Sequence, residues 1–390
     1  MRIAVLFQGV FPSSTGLGGG QRRVNDFCKS LSLVAEKVYM LVPNWNNKAL
    51  PNLEEKYFDV KIINEDTRKC NFFLNKLGYP KGIYKFIKEN SIDTVLFYNN
   101  SAELFFLKKK LMKEGYNVLY EQCDLPSSSN TGYYKYYLKL GEKYLPRHST
   151  LNIAISEFLQ ADMKKQAPEV PTLTIPVLVD RAVFFNDEKL SNETKEKHGI
   201  KPNDIVISYA GGTWKDEGLK LLIEVFAQLI KSYKNLKLII AGKLVQSSQH
   251  DDILSLVDEY QIKDNCITPG WLTTEEVKGV LSAADILVLP QLKNNFNVAG
   301  LPTKVAEYSS MGKAIVVSNI GDISLYFTDG ENALLCTPSN FDSLYEKLEK
   351  LIQNKGLREK LGKKAEDVAE LIFNFKNAGK SIIDKLNKSY

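Results

Sequence analysis

The 390-residue chain carries 51 Lys+Arg against 46 Asp+Glu, a formal net charge of +5, with 44% hydrophobic and 25% charged residues. That length exceeds one ordinary core and suits two domains of about 150–200 residues each, and the composition excludes disordered, collagenous and disulfide-scaffold classes. So mild a charge gives no ground for nucleic-acid binding.

In chain order, the apolar run Ile3–Phe7 stops at Gln8. It is too short for a signal-peptide core, no small-residue cleavage site follows, and it reads as a buried first strand. β-Branched and aromatic runs predict further strands over 37–42, 94–98, 117–121, 152–156 and 172–176, with helices over 21–34, 102–113 and 157–165. The pattern then restarts. Strands are expected over 204–210, 236–241, 266–268, 286–290, 314–318 and 333–336, and helices over 217–231, 273–282, 302–311 and 341–353. Such alternation predicts an α/β protein with parallel sheets wrapped on both faces, and the restart predicts two doubly wound, Rossmann-like domains. We divide the chain into 1–180, 181–372 and a C-terminal helix over 373–390 that packs back on the first domain. No stretch approaches about 18 apolar residues, so no membrane span is expected. Through Asp180 there are 24 Lys+Arg and 18 Asp+Glu, which leaves 27 and 28 for the remainder, so the positive excess sits in the first domain.

Five widely spaced cysteines (28, 70, 123, 266, 336) include no Cys-x-x-Cys, so neither a zinc knuckle nor a disulfide framework is expected, and a reducing cytosol suits them. The three histidines, His148, His198 and His250, stand far apart, so no metal site is expected.

Three segments carry site chemistry. Thr15-Gly16-Leu17-Gly18-Gly19-Gly20-Gln21-Arg22-Arg23 precedes a helix. Its glycines let backbone amides approach a phosphate or sugar, with Gly19 and Gly20 the contact candidates; a plain surface loop is the alternative. The spacing does not match the dinucleotide fingerprint. After the strand at 204–210 come Gly211, Gly212 and Thr213, then Lys215 and Glu217, an arrangement that brings unpaired amides together at a helix start, or an ordinary strand-to-helix turn. Asn297-Val298-Ala299-Gly300-Leu301-Pro302-Thr303-Lys304-Val305-Ala306-Glu307 places Pro302 in a first helical turn, with Lys304 and Glu307 on one face beside it. The carboxylate can accept ribose hydroxyls while the lysine meets a phosphate; a weak surface ion pair is the alternative.

The order of these motifs resembles glycosyltransferase family 4, which has the GT-B fold: two Rossmann-like domains facing across a cleft. The resemblance runs through Ile153-Ala154-Ile155-Ser156, Ile175-Pro176-Val177-Leu178-Val179-Asp180, the glycine pair, Pro269-Gly270-Trp271-Leu272, Ala284-Asp285-Ile286 and Asp329-Gly330-Glu331-Asn332. It implies transfer of a sugar from a nucleotide-sugar, UDP- or GDP-linked, to an acceptor hydroxyl with retention, and without metal or other cofactor. Donors then bind mainly to the second domain and acceptors, glycan or lipid-linked, to the first. It also implies donor contacts at Gly211, Gly212, Thr213, Asn297, Leu301, Pro302, Thr303 and Glu307. Carried over residue by residue, it exposes departures. Glu307 matches the second of the family's paired glutamates, but the first falls on Ala299 or Asn297; the family's arginine becomes Gly212 and its lysine Glu217. Lys304, with Lys215 as runner-up, is expected to supply the missing positive charge, and Asn297 or Asn295 some of the missing hydrogen bonds. These losses also fit a non-catalytic GT-B subunit, though an enzyme is the favoured reading.

In the first domain Asp124 ends a strand and is a candidate for acceptor or sugar contact, or a turn former before Pro126. Tyr133–Leu140 and Phe105–Lys110 mix aromatic and basic residues, a composition that suits an anionic membrane face. Tyrosines in the core and lysines in solvent are the alternative.

Overall fold

The computed structural model describes residues 1–7, 18–44, 56–64, 80–99, 104–129, 132–243 and 252–388. Seven parallel strands build the first sheet: β1 (Arg2–Phe7), β2 (Lys37–Asn44), β3 (Asp59–Asn64), β4 (Thr94–Tyr98), β5 (Asn117–Gln122), β6 (Leu151–Ala154) and β7 (Thr172–Thr174), in the order β3-β2-β1-β4-β5-β6-β7. Six more build the second: β8 (Ile205–Ala210), β9 (Leu236–Ala241), β10 (Cys266–Gly270), β11 (Ile286–Leu289), β12 (Ala314–Ser318) and β13 (Leu334–Cys336), in the order β10-β9-β8-β11-β12-β13. The central strands are apolar along both faces, as parallel strands must be when helices cover both sides. In each sheet the strand order reverses once, between β1 and β4 and between β8 and β11. The crevice at the carboxyl end of such a reversal is where open α/β sheets hold ligands. The expected pair of doubly wound domains is borne out.

Four helices position the site. α1 (Gly19–Ser32) buries Val24, Phe27, Cys28 and Leu31, an i, i+3, i+4, i+7 stripe against the first sheet. α2 (Leu219–Ser232) follows β8, and α3 (Thr303–Ser310) follows β11. α4 (Lys376–Asn387) contributes Ala378, Ile382 and Leu386 to the same core as α1 and β1. Gly379 allows that contact: its amide donates to Ser30 Oγ at 2.6 Å, and a Cβ there would stand 2.4 Å from the Ser30 carbonyl oxygen.

The two chain crossings between domains are laced together. The Val179 amide donates to the Phe373 carbonyl at 2.8 Å, and the Phe375 amide to the Val179 carbonyl at 3.2 Å. Nearby, the fully buried Arg23 donates to Glu121 Oε1 at 2.9 Å and to the carbonyls of Ile175 and Pro176 at 2.8 and 2.6 Å.

Several elements depart from expectation. β3 is half-exposed, with Lys61 interrupting its apolar run, so it shows little of a buried strand's signature. The polar stretch between the domains contains a helix, Glu188–Lys197, whose one buried residue is Ser191. Lys108, expected either at a membrane-facing surface or in solvent, is fully buried, donates to the Leu145 carbonyl at 2.7 Å and lies 3.9 Å from the Tyr120 ring centroid; burial pushes its amine well down. Tyr136 and Leu140, on the helix Gly132–Tyr144, are exposed instead. Thr15–Leu17, Cys70 and His250 fall outside the described residues. Among the described residues no helix is long and apolar enough to cross a membrane.

Candidate active site

β8 delivers the chain to Gly211 and Gly212, and the Tyr308 hydroxyl accepts from the Ala210 amide at 2.9 Å. Glycine is required here by close approach. A Cβ on Gly211 would stand 1.9 Å from Lys304 Cε, and one on Gly242, at the end of β9, 1.9 Å from the Gly211 carbonyl oxygen. A short turn, Lys215–Glu217, then ends at Gly218 in the left-handed region (φ 74°), where a Cβ would lie 2.1 Å from the Pro290 carbonyl oxygen. This turn displaces the start of the helix expected at Glu217 to Leu219.

α3 begins after Pro302, which offers no side chain to cap it. Its first amides therefore remain available, at the end of the helix that favours negative charge. Across the cleft stands the start of α1, close enough that a Cβ on Gly19 would meet Thr303 Oγ1 at 2.7 Å. Two helix N-termini, one from each domain, thus face each other.

Two adjoining cavities lie around this contact. The first, about 150 Å³, is lined by Gly18, Gly19, Arg22, Gly211, Gly212, Gly242, Trp271, Thr303, Lys304 and Glu307. The second, about 200 Å³, is lined by Gly19, Gly20, Asp124, Glu217, Asn297, Leu301, Pro302, Thr303 and Lys304 among others. Gly19, Thr303 and Lys304 belong to both walls.

Lys304 and Glu307 do not pair with each other. Lys304 Nζ donates to Glu217 Oε1 at 2.7 Å, and Arg22 Nη1 donates to Glu307 Oε1 at 2.7 Å across the cleft. The Arg22 guanidinium also lies 5.0 Å from the Phe184 ring centroid. Two cations and two carboxylates therefore balance. Asp124 Oδ2 accepts from Asn99 Nδ2 at 3.2 Å, while Oδ1 is buried without a partner. Burial pushes its carboxyl up to about 6, against the Asn99 hydrogen bond. Burial also pushes the neighbouring Cys123 thiol well up, which disfavours a nucleophilic role.

The remaining predicted residues are placed as follows. Asn297 is buried and spends its amide on the carbonyls of Asp216 and Leu292, at 3.0 and 2.8 Å, so it braces the turn. Ala299 is fully buried and its carbonyl accepts from Ser156 Oγ. Thr213 is buried, its hydroxyl donating to the Lys243 carbonyl at 3.1 Å. Lys215 is exposed and lines neither cavity. Sequence reasoning did not assign Arg22, Gly242 or Trp271 to the site, and read Glu217 only as a lost lysine. Their partners lie 285 residues away for Arg22 and 87 for Glu217, distances no local pattern records.

Residues 191–368 match the family model described as glycosyl transferases group 1. The chain is 19% identical to an alpha-D-kanosaminyltransferase of Streptomyces kanamyceticus over 62% of its own length and 61% of that enzyme's. It is 22% identical to the capsular polysaccharide biosynthesis glycosyltransferase CapM of Staphylococcus aureus over 80% of this chain and 84% of that one. Among solved structures it is similar to sucrose-phosphate synthase from Thermosynechococcus elongatus (TM-score 0.79, 15% identity, 99% of this chain and 98% of that one). It is also similar to Anabaena HepE in complex with UDP-glucose (TM-score 0.77, 15% identity, the whole of both chains). These likenesses establish the GT-B fold.

Proposed function

We propose that this chain is a retaining glycosyltransferase that moves a sugar from a UDP- or GDP-sugar to a hydroxyl of a glycan or lipid-linked acceptor in polysaccharide or cell-envelope biosynthesis. The observation that carries this reading is the start of α3, where uncapped amides, Lys304 and Glu307 line one cavity against the N-terminus of α1. The family match over 191–368 and the fold shared with a UDP-glucose complex support it.

In this reading Glu307 accepts the ribose hydroxyls and the half-exposed Trp271 offers a ring face to the base. The amides at Gly212 and Thr303 receive the diphosphate, as helix starts and glycine turns do, whereas the Gly211 amide is held by the Ala241 carbonyl at 2.8 Å. Lys304, on the wall shared by both cavities, stabilises negative charge on the leaving diphosphate. The bond from the sugar to phosphate oxygen breaks, a bond to the acceptor oxygen forms, and the acceptor proton leaves with the nucleotide. Asp124, with its carboxyl raised to about 6, is placed to hold the acceptor hydroxyl from the first domain. Exposed Phe106, Tyr136, Leu140 and Tyr144 suit peripheral contact with an anionic membrane face, where lipid-linked acceptors reside. Five widely spaced cysteines with no Cys-x-x-Cys suit a reducing, cytoplasmic setting.

The competing reading is a non-catalytic GT-B subunit, favoured by the existing Lys304–Glu217 pair, which neutralises the lysine assigned to the diphosphate. Thermal shift against UDP, GDP, ADP and CMP separates the two. The enzyme reading expects one nucleotide to raise Tm and Glu307→Ala to abolish that rise. No shift with any nucleotide supports the subunit reading.

A further inference from the structure

We infer that Glu217 is the carboxylate that recognises a hydroxyl of the transferred sugar, a role for which Asn297 and Ala299 are unsuited. The inference rests on the nucleotide-sugar reading above and extends it to the sugar end of the cleft.

Lys304 lies on the wall common to both cavities. A nucleotide in the first, with its diphosphate at Lys304, extends its sugar into the second. There the buried side-chain oxygens left without a partner belong to carboxylates. Glu217 Oε1 is held by Lys304 Nζ at 2.7 Å, but Oε2 is buried without a hydrogen-bond partner, and Asp124 Oδ1, on the same cavity, is likewise unsatisfied. The Tyr209 hydroxyl stands within reach of this carboxylate, but its single proton goes to the Gly212 carbonyl at 2.6 Å. A buried carboxylate oxygen left unmatched is costly, and a ligand that donates to it recovers that cost. Sugar hydroxyls are such donors.

The carboxylate is also rigidly presented. Its turn is held by Asn297 Nδ2 and by the Leu292 amide, both on the Asp216 carbonyl, at 3.0 and 2.9 Å. Gly218 closes the turn in a conformation that other residues resist. Asn297 thus acts as a positioning residue: rather than reaching the ligand, it braces the backbone next to Glu217.

Titration calorimetry of wild type, Glu217→Gln and Glu217→Asp with UDP, GDP, UDP-glucose, UDP-N-acetylglucosamine and GDP-mannose tests this. For the nucleotide-sugar that wild type binds, the account predicts that Glu217→Gln raises Kd about tenfold or more. The matching nucleoside diphosphate should bind Glu217→Gln as well as wild type, or more tightly, because Lys304 is released. Glu217→Asp, which keeps the charge, should recover part of the loss. Parallel weakening of sugar-nucleotide and nucleotide, or no change in either, overturns the assignment while leaving the functional reading standing. Failure of wild type to bind any of the five overturns the functional reading, and this assignment with it.

Discussion

Arg22 and Glu307, 285 residues apart, meet at 2.7 Å across the cleft with side chains only 18% and 7% exposed. The pair ties α1 to α3, and on the proposed function it occupies the carboxylate assigned to the ribose. On that reading donor binding opens or shares it. A double-mutant cycle of Arg22→Ala and Glu307→Ala, read by urea unfolding, should show a coupling of about 0.5–3 kcal/mol, the range for contacting residues. Strict additivity would show that the contact does no work in holding the domains together.

Lys304→Met should lower turnover about 10²–10³-fold, comparable to removal of a donor that stabilises developing negative charge. Steady-state kinetics should place the loss mainly in kcat. A variant with kcat within a factor of two of wild type would remove Lys304 from the leaving-group site.

The Arg23–Glu121 pair is buried to 1% and 0% exposure and joins β5 to the Ile175 and Pro176 carbonyls. Glu121→Ala would leave a buried guanidinium without its counter-charge, and should cost about 3–5 kcal/mol in denaturant unfolding. A cost below about 1 kcal/mol would mean that water reaches the arginine.

Asp26 lies beside Lys29 at 4.0 Å, in a cluster that includes Asp180, Arg22 and Glu307. Burial pushes its carboxyl up to about 8, against the opposing pull of Lys29. Because the folded value exceeds the unfolded one of about 3.9, its contribution to stability is complete at low pH and is lost as pH rises toward 8. Tm measured from pH 5 to pH 8.5 should fall more steeply in wild type than in Asp26→Asn. Identical slopes would mean that the carboxyl is already ionised at pH 5.

Where apolar residues recur with a clear period, the sequence announced the fold. Thr94–Tyr98, Leu236–Ala241, Ala314–Ser318 and the helix Phe341–Gln353 begin and end where apolar patterning places them. Asp59–Asn64 and Glu188–Lys197 escaped because a half-exposed edge strand and a polar surface helix bury too little to leave a period. At the site, Lys304 and Glu307 were legible because three-residue spacing after a proline is a local signal. Arg22 and Glu217 were not, since their roles come from ion pairs between distant elements. Asn297 shows the converse: its residue type suggested ligand contact, but packing turned its amide onto the Asp216 and Leu292 carbonyls.

The most direct measurement is turnover of UDP- and GDP-sugars by the purified protein, with nucleotide release followed alongside the anomeric configuration of the product by NMR. The account predicts that one of these donors is consumed, that the product keeps the donor's anomeric configuration, and that Lys304→Met abolishes most of the release. A folded wild type that neither consumes any donor nor gains thermal stability from any nucleotide would contradict it.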